Sequence, residues 1–126
     1  MSLDITFYSK NGEASDTIEF SEQFYEKLIK SDFTEIGASH KIKIKVDEEE
    51  QEIEAIDLNK GIITNRQRLI DFFKEKIVEE SKNMIEKLGD APSKDEYEKQ
   101  SYSLKKFHEI LASVEDKKYD YLERVT

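Results

Sequence analysis

Residues 65–88, NRQRLIDFFKEKIVEESKNMIEKL, and residues 93–126, SKDEYEKQSYSLKKFHEILASVEDKKYDYLERVT, decide how the chain is read. In the first segment Leu69, Ile70, Phe73, Ile77, Met84, Ile85 and Leu88 recur on one face at helical spacing. In the second, Tyr97, Leu104, Phe107, Leu111, Val114, Lys118, Tyr121, Leu122 and Val125 do the same, with a spacing near seven. Thr64-Asn-Arg-Gln67 and Ser93-Lys-Asp-Glu96 each read as a capping box, with Ile63 placed to staple the first helix. Between them Gly89-Asp90-Ala91-Pro92 ends one helix and spaces it from the next. A break this short makes the two helices antiparallel neighbours. The first would be about 36 Å long at its ordinary rise of ~1.5 Å per residue.

Working back from the helices, residues 1–64 read as β-rich. Leu3, Ile5 and Phe7 alternate with polar residues, and Asn11-Gly12 supplies a two-residue turn that needs positive φ. Closing the hairpin there pairs Lys10 with Glu13, Ile5 with Ile18, and Leu3 with Phe20. Ser21 then caps a short helix over 22–31, with Phe24 and Leu28 on its apolar side. A loop containing Gly37 follows. Ile42, Ile44 and Val46 alternate with Lys41, Lys43 and Lys45. With 47–50 as a four-residue loop, Ile44 faces Ile53, Ile42 faces Ala55, Lys45 faces Glu52 and Lys43 faces Glu54. Glu and Gln also favour helix over 49–58; the register match favours the strand. The expectation is an α+β fold in ββαββαα order: a four-stranded antiparallel sheet from two β-hairpins, packed with a long C-terminal antiparallel helical hairpin, all one domain over 1–126.

Charge divides the chain in the same place. Residues 1–64 hold 15 Asp and Glu against 7 Lys, whereas residues 65–126 hold 14 acids against 13 Lys and Arg. The β-rich half therefore carries nearly all of the net charge of −9. Such acidity disfavours direct nucleic-acid binding and anionic membranes, and suits a basic partner. The chain has no cysteine, which excludes disulfides and thiolate chemistry. Its first residues do not read as a signal peptide, and no run is apolar enough to span a bilayer, so a cytoplasmic protein is expected.

The most conspicuous cluster is Asp47, Glu48, Glu49, Glu50, Glu52 and Glu54. It lacks the alternating ligands and central glycine of a calcium loop. Carboxylates two apart on a strand lie about 6.8 Å from each other, comparable with phosphate spacing, but the neighbouring lysines counter such a mimic. The commonplace reading is a solvated hairpin tip that discourages edge-to-edge pairing; the functional one is a binding patch for a basic surface. Phe72, Tyr102 and Tyr119 fall off the main apolar seams and are candidate interface aromatics. Arg66, Arg68 and Lys74 read as intrahelical ion-pairing residues before an anion site. His40 and His108 have no indicated partner, and the four glycines form no phosphate loop. No metal site, cofactor or catalytic set is expected. The leading expectation is a non-catalytic protein that binds another protein, as an inhibitor, immunity or regulatory protein would, and dimerises through its long helices. The alternative is a small-ligand sensor with a pocket between sheet and helices; a carboxylate hydrolase is a third.

Overall fold

A hairpin and a capped helix open the chain as their residues require. In the computed structural model, which describes residues 4–10, 14–46, 48–88 and 93–124, β1 (Asp4–Tyr8) pairs antiparallel with β2 (Ser15–Glu19). Ile5 faces Ile18, so one face of the hairpin is apolar. The pairs Lys10–Glu13 and Leu3–Phe20 and the Asn11-Gly12 turn lie outside the described residues. Helix α1 (Glu22–Ile29) starts on Ser21, whose hydroxyl accepts the Phe24 N–H at 3.2 Å. A 3₁₀ turn at Asp32–Glu35 then buries Phe33.

Strand β3 (His40–Val46) and strand β4 (Glu49–Asp57) form the second hairpin. Residues 49–57 are strand, not helix. The register differs from the expected one by two residues: Ile42 faces Ile53, Lys43 faces Glu52 and Lys45 faces Glu50. The cause is a tighter turn. Val46 pairs directly with Glu49, and Glu48 takes a φ of 67°. Both registers keep Lys opposite Glu, but the observed one sets Ile44 against Gln51 and Val46 against Glu49, so the turn overrides the apolar pairing that the side chains alone favour.

Helix α2 (Asn65–Leu88) begins where expected. The Thr64 hydroxyl accepts the Gln67 N–H at 3.1 Å, but the Gln67 amide turns away to Asp71 at 2.9 Å, so only half of the capping box forms. Ile63 is 65% exposed and staples nothing, and Ile85, expected on the inward face, is 77% exposed. Helix α3 (Lys94–Glu115) packs along α2. The link 89–92 lies outside the described residues.

The main departure from expectation follows α3. The helix stops at Glu115, and Tyr121–Arg124 form a fifth strand, β5. The sheet is five-stranded and antiparallel in the order β2-β1-β5-β4-β3. Strand β5 thus lies between the two hairpins and pairs with both: Leu122 faces Phe7 on one side and Ile56 on the other. The fold is α+β, with three α-helices among the described residues.

Helices cover one face of this sheet. Ile5, Phe7, Ile18, Ile56, Leu58 and Leu122 meet Leu69, Phe73, Phe107, Ile110 and Val114 in the main core, with Phe24 and Leu28 of α1. Aromatic rings knit the layers, with Phe24–Phe107 centroids 5.0 Å apart and Phe73–Phe107 6.0 Å apart. A smaller cluster of Ile44, Ile53 and Ala55, with Tyr8, Ile42 and Tyr121, occupies the opposite face.

Two arginines lock the fold through carbonyls. The Arg66 guanidinium donates to the carbonyls of Val114 (2.7 Å), Asp116 (2.9 Å) and Tyr119, and to the Asn59 side chain at 3.3 Å. It therefore caps the C-terminus of α3 and sets the turn into β5; it makes no intrahelical pair of the kind expected. Arg124 donates to the carbonyls of Phe33 (3.0 Å), Ile36 (3.3 Å) and Gly37 (3.4 Å), and lies over the Phe33 ring.

Leu122→Ala should cost about 2–5 kcal/mol, the range for a fully buried leucine, read as a lower urea midpoint. A loss under about 1 kcal/mol would show that the site collapses without β5. Arg66→Lys keeps the charge but not the planar fork, and should still cost about 1–2 kcal/mol because partly buried carbonyls lose donors.

Candidate functional site

Strand β4 changes character along its length, and that change builds the site. Its even-numbered side begins with Glu50, Glu52 and Glu54, all exposed, and ends with Ile56, which is buried under the helices together with Leu58 just past the strand. Its odd-numbered side buries Ile53 and Ala55. The switch from Glu to Ile marks where the helical cover ends. Among the described residues, strand β4 is in register with β5 at Ile56 and Asp57, and the rest of β4 pairs with β3 alone, as a two-stranded ribbon. Its apolar side is held by Tyr8 and Tyr121, so the charged side is presented on an anchored scaffold.

Glu48, Glu49, Glu50, Glu52 and Glu54 are all exposed on this ribbon; Asp47 lies outside the described residues. Lys43 reaches Glu50 and Lys41 reaches Glu52, each at 3.9 Å and well exposed. Ion pairs that long and that wet are worth little, typically about 0–1 kcal/mol. They offset two of the five exposed glutamates and leave the ribbon net acidic.

The three candidate aromatics are not part of this surface. Tyr119 is 6% exposed and packs on Phe7 with centroids 5.8 Å apart. It lies beyond α3, in the lead-in to β5. Phe72 is half-buried against Phe33 and Phe73. Tyr102 is half-buried, and its hydroxyl accepts the Ser21 N–H at 2.8 Å, tying α3 to the start of α1. The exposed large apolar residues are others: Ile62, Ile63, Val78, Ile85 and Tyr97 among them. The Ile62–Ile63 pair beside Gly61 could have been suspected from sequence, because a turn seldom needs two isoleucines. Val78 and Ile85 could not, since they share a helix with an ordinary apolar stripe.

A second feature is a cleft of about 540 Å³ between α1, α2 and α3. It differs in place from the expected pocket between sheet and helices. Phe24 and Tyr102 form its aromatic wall; Lys27, Glu80, Asp95 and Glu98 supply charge. Glu80 is 5% exposed and paired with Lys27. A carboxylate withdrawn from water needs such a partner.

On the sheet face away from the helices, Tyr8 donates its hydroxyl to Glu123 at 3.3 Å. Burial pushes the Glu123 carboxyl above its usual range; the Tyr8 hydrogen bond opposes the rise and nearby Asp4 adds to it. Burial, then Glu123 itself, pushes the Tyr8 phenol up, so it stays protonated and donating. Among the described residues no group of three or more His, Cys, Asp or Glu is placed to hold a metal ion. No helix among them is long and apolar enough to cross a membrane.

Comparison of the chain with protein-family models, with curated proteins and with solved structures finds no match. The functional reading therefore rests on the geometry above.

Two outcomes are expected. Lys27→Met should destabilise the protein by about 1–3 kcal/mol by leaving the Glu80 charge buried alone, and adding Glu80→Leu should restore most of that loss; an unrestored double variant would place the effect elsewhere. For Glu123, a folded pKa above the unfolded one means that ionisation costs stability. That cost is present above the folded pKa and is relieved as pH falls through it toward the ordinary carboxylate range. Glu123→Gln should abolish this gain on acidification and leave the neutral-pH melting temperature equal or higher. A clearly lower one would contradict the assignment.

Proposed function

We propose that this protein acts without catalysis, by binding another protein through the β3–β4 ribbon. The observation that carries the reading is the anchored ribbon itself. Glu50, Glu52 and Glu54 are exposed on one face of a hairpin whose other face buries Ile44, Ile53 and Ala55, and Glu48 and Glu49 are exposed at its turn end. A pre-ordered strand pair of this kind loses little entropy on docking. Its acidic turn favours a basic partner surface, with a fast, salt-sensitive encounter. Inhibitory, immunity and regulatory proteins work in this way, and the reading assigns this chain to that broad class.

The test is affinity capture of a partner from the native host extract in low salt, followed by binding measurements with the purified pair. Glu48→Lys/Glu49→Lys/Glu50→Lys should weaken the complex at least tenfold, or about 1.4 kcal/mol, and ~0.5 M salt should weaken the wild type similarly. Unchanged affinity in the triple variant would end the acidic-ribbon reading.

Self-association through the long helices is part of the same proposal. Val78 and Ile85, seven residues apart and 58% and 77% exposed, share one solvent-facing side of α2. Light scattering should give a dimer that persists at ~0.5 M salt, since apolar contacts are not screened, and Ile85→Asp should dissociate it. A wild-type monomer in both salts would remove dimerisation from the proposal.

The cleft beside α1 favours a second reading, a small-ligand sensor. Its volume of about 540 Å³ falls within the span of small-molecule sites, roughly 300–1,000 Å³. Thermal-shift screening of metabolites decides it, because a ligand that binds only the folded state raises the melting temperature.

A further inference from the structure

We propose that the loop tip Ile62–Ile63 is a docking point for an anionic lipid surface. It sits at the end of the molecule opposite the acidic ribbon and is independent of the reading given above.

The tip is built to project. Ile62 is 107% exposed and Ile63 65%. Gly61 holds a φ of +107°, and a Cβ there would lie 2.7 Å from the Ile63 carbonyl oxygen, so the bend needs glycine. The base of the loop is tied down on both sides. The Asn65 N–H donates to the Lys60 carbonyl at 3.0 Å, and the Asn65 side chain donates to the Asp57 carbonyl at 2.9 Å. The Asn59 amide donates to Asp120 at 2.8 Å. Two adjacent aliphatic side chains are thus held out in water by a hydrogen-bonded frame, at a place where none of the fold's packing uses them.

Around this tip the charge reverses. The ends of β1 and β4 and the start of β5 bring three loops together, joined where Asp120 accepts both the Lys10 N–H at 2.8 Å and the Asn59 amide. Lys10, Lys60, Lys117 and Lys118 are exposed on these loops, and Arg68 is exposed one turn into α2. The local acids accept hydrogen bonds, and Asp116 is also ion-paired with Lys118 at 3.5 Å. Asp57 accepts the Asn59 N–H at 3.0 Å, and Asp116 accepts the Lys118 N–H at 3.1 Å. Among the exposed side chains described at this end, five cations (Lys10, Lys60, Arg68, Lys117 and Lys118) stand against three acids (Asp16, Asp71 and Glu115), in a chain of net charge −9.

The chain's overall acidity does not oppose such contact. The acidic turn lies at the other end of β4, about 26 Å away at ~3.3 Å rise per residue. Charges more than ~8 Å apart in physiological salt are largely screened. What a surface feels is the near end. A protein socket fits less well, because two isoleucines fall far short of the ~800 Å² per partner of a stable interface. A bilayer sets no minimum area. A short apolar insertion together with several cations is the two-part signal that gives reversible binding to anionic lipid.

The test is co-sedimentation of the full chain with vesicles of phosphatidylcholine alone and with ~30 mol % phosphatidylserine. Binding is expected to the anionic vesicles only, and to weaken at least tenfold in ~0.5 M salt. Ile62→Asp/Ile63→Asp, and separately Lys60→Glu/Arg68→Glu, should each lower it at least tenfold. Both pairs are exposed, so an unchanged melting temperature and circular dichroism spectrum certify folding. Failure of the wild type to sediment with anionic vesicles overturns the proposal. So does binding that survives loss of the isoleucines. Absence of lipid binding combined with self-association that Ile62→Asp/Ile63→Asp abolishes would assign the tip to a second copy of the chain and overturn it equally.

Discussion

Strand β5 supplies the pairing on which the rest of the structure depends. Each hairpin satisfies the hydrogen bonds between its own strands and leaves an inner edge open, on β1 and on β4. A two-stranded hairpin alone is marginal in water. Four residues, Tyr121–Arg124, pair with β1 along Ile5–Tyr8 and with the end of β4 at Ile56 and Asp57 at once. Leu122, fully buried, then places one side chain against Phe7 and Ile56 together. The two hairpins become one sheet with one continuous apolar face, wide enough to receive both long helices.

That insertion needs the chain to leave α3 and reverse within a few residues, and a carbonyl-rich turn would be costly there if left unpaired. Arg66 answers it by donating to three carbonyls of the segment 114–119. Arg124 does the same for the turn after α1, reaching Phe33, Ile36 and Gly37. Both guanidiniums are partly buried, and burial pulls each below its usual pKa range; neither is spent on a surface ion pair. Gly37 completes the second of these sites, because a Cβ there would fall 2.8 Å from Ile56. Cations placed on backbone oxygens hold loops that hydrophobic packing alone would leave free.

The same topology gives the molecule two unlike ends. Strand β4 runs from an exposed acidic turn to a loop that bears two isoleucines among lysines. The ribbon end is ordered because its apolar side rests on Tyr8 and Tyr121, and the loop end because Asn59, Asn65 and Asp120 are hydrogen-bonded there. Neither end contributes exposed side chains to the core, so both can vary in chemistry without cost to the fold.

Several local features were legible in the residues themselves. Alternation placed Ile5 opposite Ile18, the Ser21 cap started α1, Thr64 started α2, and the apolar rhythm of 42–58 identified a hairpin over a competing helix. These depend on neighbours within a few residues. The acidic cluster was legible as composition, and the Glu-to-Ile switch along β4 now explains why it is exposed. What tertiary structure decided was longer in range. Tyr121, Leu122 and Val125 continue the helical spacing of α3, while Tyr121 and Leu122 equally suit a strand with one side chain on each face. Four residues are too few for either period to win. The two open strand edges decide it, and they are contributed by residues more than sixty positions away. The register of β3 on β4 was likewise settled beyond the side chains: their pairing favoured Ile44 opposite Ile53, the structure sets Ile44 against Gln51, and the backbone at Glu48, turning through positive φ, made the choice.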